Sequence, residues 1–392
     1  MSRSISTGID VGTSQIKVVI ARKSAEREMP RIIGTGFAES KGLRHGYVLN
    51  QGDVIKSLHQ AVNQAELAAK IKIKKTIISI GGIGLSAATS TGSTIISRAD
   101  TEITERDIEN VLAASLKNLP QNVSQNRTII HSIPINYKID GKPVLGKPLG
   151  LKGGKLEVKT LFVGCLEHHL RDLIEAVEGA GIIVEDEVVA APLAASVVTL
   201  TKPQKVAGCV LANIGSETVS IVVYENGIPV SLEVFPIGSN DITNDIALGL
   251  KIPLEEAEEA KRGLLVGAEY PKRKLDEIIS ARLSDIFELI EAHLKKIGRS
   301  GLLPAGIILT GGGAGIDMIE DMAKTSLRLP SRTAQMQMGD KSRLSIKDAS
   351  WSVSYGLAII GLTSDSESPS PFALAARQVK TRAAKWIKQF FP

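Results

Sequence analysis

The stretch Ile9-Asp10-Val11-Gly12-Thr13-Ser14-Gln15-Ile16-Lys17 has a counterpart 203 positions downstream, Ala212-Asn213-Ile214-Gly215-Ser216-Glu217-Thr218-Val219-Ser220. Each copy reads as a buried strand, a turn with one shared glycine and a returning strand; Ile16–Ile20 then matches Val219–Val223. The repeat is weak in identity, but it implies two related halves, each opening with a β-hairpin.

Around these hairpins the chain alternates strands and helices. An extended run covers 31–38. Asn50 caps a helix over 53–69, with Val54, Leu58, Ala61, Val62, Ala65 and Ala69 on one face. A buried strand over 76–80 ends at Gly81-Gly82. From 86 to 163 the texture changes to small, polar strands over 86–97, a helix starting near Thr104, a hairpin turning at Asp140-Gly141 and a Gly-, Pro- and Lys-rich loop over 141–155. This stretch reads as an inserted α+β subdomain. Residues 165–200 read as helical. The second half continues with helices near 241–249 and 254–262 and a helical pair over 273–296. A strand at 307–309 runs into Thr310-Gly311-Gly312-Gly313-Ala314, with helices from about 316 and over 352–361.

Three glycine-containing turns thus stand at strand ends, 10–14, 213–218 and 310–315. Glycine allows close backbone approach, and consecutive N–H groups in such turns form a nest for anions. The hydroxyls of Thr13 and Ser14 and the charge of Lys17 add to it, and Asp10 can hold a hydrated Mg²⁺. A single turn of this kind is usually only structural; three in repeated halves point to a nucleotide. Neither GxxxxGK[ST] nor GxGxxG occurs. The adjacent His168 and His169 read as surface residues, and His45, His59, His131 and His293 are scattered. Cys165 and Cys209 read as small core residues and exclude a disulfide scaffold, as expected of the cytoplasm.

At 392 residues with 43% hydrophobic and 23% charged content, the chain can bury a large core as two to four units. No run reaches the roughly 18 apolar residues of a spanning helix, and no secretory signal stands at the start. The net charge of +5 equals the charge of residues 371–392 alone, which hold Arg377, Lys380, Arg382, Lys385 and Lys388 and no acid. The basic balance therefore does not indicate nucleic-acid binding by the body. Wound as a helix, this tail places Phe372, Ala375, Ala376, Val379, Ala383, Trp386, Ile387 and Phe390 on one side, with Arg377, Lys380, Lys385 and Lys388 opposite or at the boundary and Phe391 at the tip. A basic face opposite an aromatic-rich face is that of a helix lying in a membrane interface, reached here through the Ser/Pro-rich linker 363–370. A buried large apolar side chain contributes about 1.5–3 kcal/mol and a basic residue near anionic lipid about 1 kcal/mol, so a single copy binds reversibly and self-association strengthens it. The alternative for the tail is a helix docking on the body or on a partner.

With these pieces in place, the sequence resembles the FtsA family of actin-like bacterial cell-division proteins, nearly end to end. Residues 9–14 with Lys17 resemble the first phosphate motif of the actin superfamily. His131-Ser-Ile-Pro-Ile-Asn-Tyr-Lys-Ile-Asp-Gly141 and Pro148-Leu-Gly-Leu-Lys-Gly-Gly-Lys-Leu156 resemble the signature of the family's inserted subdomain. Asn244-Asp-Ile-Ala247 with 255–261 resembles the helical pair beside the adenine, where Glu258 and Lys261 match nucleoside-contacting positions. Ile308-Leu-Thr-Gly-Gly-Gly-Ala-Gly315, with Gly311, Gly312 and Gly313, resembles the adenosine motif.

The resemblance implies an α/β, actin-like (ribonuclease H-like, duplicated) two-domain fold with an inserted α+β subdomain and a C-terminal amphipathic helix. Its subdomains would be 1A (1–85 and 164–203), 1C (86–163), 2A (204–237 and 301–362) and 2B (238–300), then the linker 363–370 and the helix 371–392. It also implies ATP and Mg²⁺ between the halves, FtsZ on subdomain 2B, self-association and later division proteins on 1C, and anionic lipid at the division site on the cytoplasmic face of the membrane. One departure stands out. The family's second phosphate motif usually reads Asp-Ile-Gly-Gly-Gly-Thr-Thr-Asp, whereas here Asn213, Gly215, Ser216, Glu217, Thr218 and Ser220 occupy it. A carboxylate among phosphate oxygens repels them unless it turns away, so weak ATP binding and slow or absent hydrolysis are expected. Glu187 aligns loosely with a water-orienting acid of related chaperone ATPases. The alternatives are a PilM-like scaffold of type-IV pilus assembly, which the tail counts against, and a sugar or acetate kinase, which the second motif counts against.

Overall fold

The computed structural model describes residues 4–24, 30–264, 270–336 and 348–363, without the side chains of 122, 186 and 187. Two five-stranded sheets dominate. The first runs in the order Ile183–Ala190, Lys75–Ile80, Ile5–Val11, Gln15–Arg22, Arg31–Glu39. The second, read from its matching end, runs Ser331–Thr333, Ile307–Thr310, Cys209–Ile214, Val219–Glu225, Ile228–Phe235. In each sheet the hairpin strands and the next strand are antiparallel, and the strands on the other side pair parallel. The 203-residue repeat holds to the register: Asp10 pairs with Lys17, and Asn213 with Ser220.

The central strands are rich in Ile and Val and are buried on both faces, as sheets covered by helices require. Helix Gln51–Ala69 starts at Asn50, whose side chain accepts from Asp53 N. The apolar helix Ser352–Thr363 is buried nearly throughout and lies on the first sheet. It comes so close that a Cβ on Gly8 would stand 2.3 Å from Ser354 O, and one on Gly356 would stand 1.9 Å from Ala194 O. Glycine is the residue that permits both approaches.

Between the strands Lys75–Ile80 and Ile183–Ala190 stands a third, antiparallel sheet in the order Leu85–Ile95, Lys155–Leu166, Arg127–Ile139, Lys142–Val144. Its tight turn sets Asp140 and Gly141 at φ 50° and 79°, which is the turn chemistry their sequence offers. Helix Glu105–Lys117 is capped by Thr104 and Asp107, and covers a small core of Ile103, Ile108, Val111, Tyr137, Leu156 and Val158. At its other end the sheet joins the central core through Ile133, Leu161 and Val163, and Leu232 of the second half lies in that same core. His131 is buried at this seat; its Nε2 accepts from Ala190 N at 3.0 Å, and burial pushes its pKa down to about 4.

Three expectations needed correction. The stretch 165–200 is not helical throughout. The β-branched run Ile183–Ala190 is a strand paired with Lys75–Ile80, between helices Glu167–Gly179 and Ala191–Thr199. The pair expected over 273–296 is one helix, Lys272–Lys296, with no Gly or Pro inside to end it. His169 is buried, while His168 is exposed. Cys165 and Cys209 are buried and free, as expected. Among the described residues no helix is long and apolar enough to cross a membrane. Phe372, Val379, Lys380, Lys385, Trp386, Ile387, Lys388, Phe390 and Phe391 lie outside the described residues.

Candidate functional site: a cleft between the two halves

A cleft of about 570 Å³ opens between the two sheets. The two hairpin turns face it from either side, and the glycine turn after Ile307–Thr310 closes its floor. Asp10, Gly12, Thr13, Ser14, Lys17, Asn213, Gly215, Ser216, Thr218, Glu258, Lys261, Gly311, Gly312 and Gly313 all line it. Every cleft residue expected from the motifs is thus brought to one place. Glu187 lies in the strand Ile183–Ala190, and its side chain is outside the described residues.

The first turn carries charge. Asp10 is half-buried and its Oδ1 accepts from Ser79 Oγ at 2.7 Å. Burial raises its pKa, against the Ser79 bond and the Lys17 charge. Lys17 is buried too; its Nζ donates to Ser350 O at 3.0 Å and stands 5.7 Å from the Trp351 ring centroid. Burial lowers its pKa, while Asp10 and Asp348 oppose the shift.

The second turn is neutral toward the cleft. Its backbone is tied into the following helix Ser239–Leu250, because Ser239 N donates to Gly215 O at 2.9 Å and Asn240 N to Ser216 O at 2.8 Å. Glu217 does not line the cleft. Its carboxylate turns to the opposite half and accepts the backbone N–H of His45. The predicted clash with phosphate oxygens is removed by that turn.

At the third turn each glycine has its own reason. Gly311 has φ 90°, and a Cβ there would stand 2.4 Å from Asn213 Oδ1; one on Gly313 would stand 2.5 Å from Ile214 Cγ2; one on Gly312 would meet nothing within 4 Å and would project into open space. Beside them, Lys261 Nζ donates to Ser239 O at 3.1 Å, to Thr243 Oγ1 at 2.8 Å and to Glu258 Oε2. Thr243 Oγ1 donates to the same Glu258 oxygen at 2.7 Å. Burial lowers the Lys261 pKa, and Glu258 counters it. Glu258 is thereby held as an oriented acceptor, its side chain 41% exposed at the cleft.

The motifs missed several cleft residues. Thr243, which stands beside the cleft and bonds both Lys261 and Glu258, sits one residue before the quoted Asn244–Ala247. Ser239, Arg262, Asp348 and Ser350 also line the cleft or its partners. Ser350 acts through its carbonyl, which any residue supplies, so nothing in the sequence marks it. Among the described residues no group of three His, Cys, Asp or Glu side chains is placed to hold a metal.

The FtsA of Borreliella burgdorferi, a cell division protein, is 31% identical over 356 residues, covering 85% of this chain and 84% of its own. The chain belongs to the FtsA family. The FtsA of Pseudomonas aeruginosa is 28% identical over 385 residues, covering 93% of this chain and 90% of its own. The family model described as cell division protein FtsA matches residues 210–359, and that of the SHS2 domain inserted in FtsA matches 84–163. Among solved structures, a PilM–PilN type IV pilus biogenesis complex aligns with TM-score 0.69 at 16% identity, over 91% of this chain and 98% of that one. MreB5 of Spiroplasma citri bound to ADP aligns at 0.50 and 12%, over 91% and 95%. At such identities these likenesses establish the fold: an actin-like α/β fold of two related halves with an inserted α+β subdomain. In this FtsA-family chain the first turn carries charge at the cleft, the Glu258–Lys261 pair lines it, and the second turn is neutral toward it.

Proposed function

We propose that this chain tethers FtsZ filaments to the cytoplasmic face of the membrane at the division site. In this reading residues 371–392 are the anchor, and the cleft binds ATP with Mg²⁺. The observation that carries it is the convergence of three glycine turns and the Glu258–Lys261 pair on one cleft in an FtsA-family chain. The donor set suits such a ligand. Backbone N–H groups, hydroxyls and Lys17 stand at the anion end, and an oriented carboxylate stands at the end where ribose hydroxyls seek an acceptor. Bound ATP with Mg²⁺ supplies phosphate charge and a hard cation, for which Asp10 is the partner through water. Thr13, Ser14 and the turn amides bind and orient; Lys17 balances charge. Asn213 and Ser220 stand where the family usually has acids, which weakens the handling of an attacking water, so hydrolysis is slow or absent.

Subdomain 2B (238–300) is the proposed FtsZ surface. The helix Lys272–Lys296 there borders an open groove of about 730 Å³ lined by Lys272, Arg273, Asp276, Ser280 and Met322. Arg282 on this helix is braced by Asp245 at 2.7 and 3.1 Å. Subdomain 1C is the proposed surface for self-assembly and for later division proteins.

Co-sedimentation of FtsZ with anionic liposomes tests the tether. Recruitment is expected with the full chain and is lost when residues 371–392 are removed. Liposome binding without FtsZ recruitment overturns the adaptor reading, and unchanged recruitment by the truncated chain overturns the anchor.

A further inference from the structure

We propose that Glu217 and the His45 loop form a latch across the cleft that holds the two halves closed through the chain's own atoms. The inference goes beyond the ATP reading and stands whether or not that reading holds.

Glu217 occupies the turn between the strands Cys209–Ile214 and Val219–Glu225. Its carboxylate accepts the backbone N–H of His45, 172 residues away in the first half, and the His45 ring nitrogen Nδ1 lies 3.2 Å from Glu217 O. A hydrogen bond to an ionised acceptor is among the stronger ones in proteins. Its effect here depends on whether each end is rigid.

Both ends are. In the first half, His45 and Gly46 adopt φ 49° and 87°. Ile83 N donates to His45 O at 3.2 Å. Buried His169 donates from Nε2 to Gly46 O at 2.7 Å, which leaves Nδ1 facing Cys165 Sγ at 3.7 Å. Gly46 and Gly82 touch backbone to backbone, so that a Cβ on Gly46 would stand 2.6 Å from Gly82 Cα. The loop is therefore built into the first half, and through Cys165 it is tied to the last strand of the insert. In the second half, Gly215 N donates to Thr218 O at 2.9 Å, and the carbonyls of Gly215 and Ser216 are held by helix Ser239–Leu250. Two rigid bodies joined at this point cannot separate without breaking the bond. Glycine at 217 could not make it.

Hydrogen–deuterium exchange on the full chain without nucleotide tests the latch. In Glu217→Ala, exchange is expected to rise about tenfold in peptides over 43–48, 213–218 and 311–315 together, the scale of losing one charge-assisted bond. Glu217→Gln keeps an acceptor oxygen and is expected to fall between wild type and Glu217→Ala. His45→Asn keeps the backbone donor, tolerates the left-handed φ and loses only the ring contact to Glu217 O, so it is expected to stay closer to wild type than Glu217→Ala; a rise as large as that of Glu217→Ala overturns the carboxylate's role. A rise confined to 43–48 shows a local bond and overturns the latch, as does unchanged exchange at all three places. Should Glu217→Ala fold poorly, Glu217→Asp, a methylene shorter, gives the same readout: exchange rising at all three places supports the latch, and exchange at wild-type level overturns it. Failure of ATP binding in a separate titration leaves these outcomes unaffected.

Discussion

The turns at 10–14 and 213–218 share a backbone and differ in chemistry. Both close an antiparallel hairpin in the same register, Asp10 opposite Lys17 and Asn213 opposite Ser220. The first keeps a half-buried acid and a buried base at the cleft. The second keeps neutral groups there and sends its one carboxylate to the other half. Hydrophobic pattern and pairing register conserve the hairpin, while side chains at the turn are free to diverge. A duplicated backbone thus serves two tasks, charge handling in one half and closure in the other.

The sharpest way to break this likeness lies beneath the hairpins. Position 8 is glycine in the first half, and its counterpart Leu211 is fully buried in the second. Gly8→Leu would copy the second half onto the first, but its Cβ would meet Ser354 O at 2.3 Å and Leu357 Cβ at 2.6 Å. A loss of about 3 kcal/mol is expected by denaturant unfolding, because here the two halves are covered differently.

Asp10→Asn makes the first turn resemble the second. Mg²⁺-dependent nucleotide binding is expected to weaken about ten- to a hundredfold by calorimetric titration, the scale of losing a group that reaches a metal through its outer shell. Stability moves the other way. The folded pKa of Asp10 is raised, so the folded state binds its proton more readily than the unfolded state, and the stability from this group grows as pH falls through the folded pKa. At neutral pH the charge opposes folding, and Asp10→Asn is expected to be the more stable protein, with its advantage over the parent chain shrinking as pH falls through the folded pKa in unfolding measured against pH.

The smallest effect belongs to the reverse change. Asn213→Asp places an acid beside Gly311 and the Ile214 carbonyl, and is expected to cost about 1 kcal/mol in thermal unfolding. It should also increase the dependence of nucleotide binding on Mg²⁺. If it leaves that dependence unchanged, the neutral second turn does not set how the proposed nucleotide site uses Mg²⁺.

Much was legible in the sequence because it was local. The Ile- and Val-rich strands around Gly12 and Gly215, the Asn50 cap, the helix start near Thr104 and the Asp140-Gly141 turn depend on contacts within a few residues, and each appears where its chemistry places it. Local pattern erred where a distant partner decides the state. The run Ile183–Ala190 is a strand because Lys75–Ile80 lies beside it, and His169 is buried because the Gly46 carbonyl is there to accept the hydrogen bond from its Nε2–H. The sequence by itself determined the two hairpins, their glycines and the residue types of the cleft. Only the tertiary structure decided that Lys17 ends on the carbonyl of Ser350, 333 residues on, and that Glu217 faces His45 instead of the cleft. Backbone carbonyls and amides carry no residue identity, so a partnership that ends on one leaves no mark in the sequence until folding brings the two ends together.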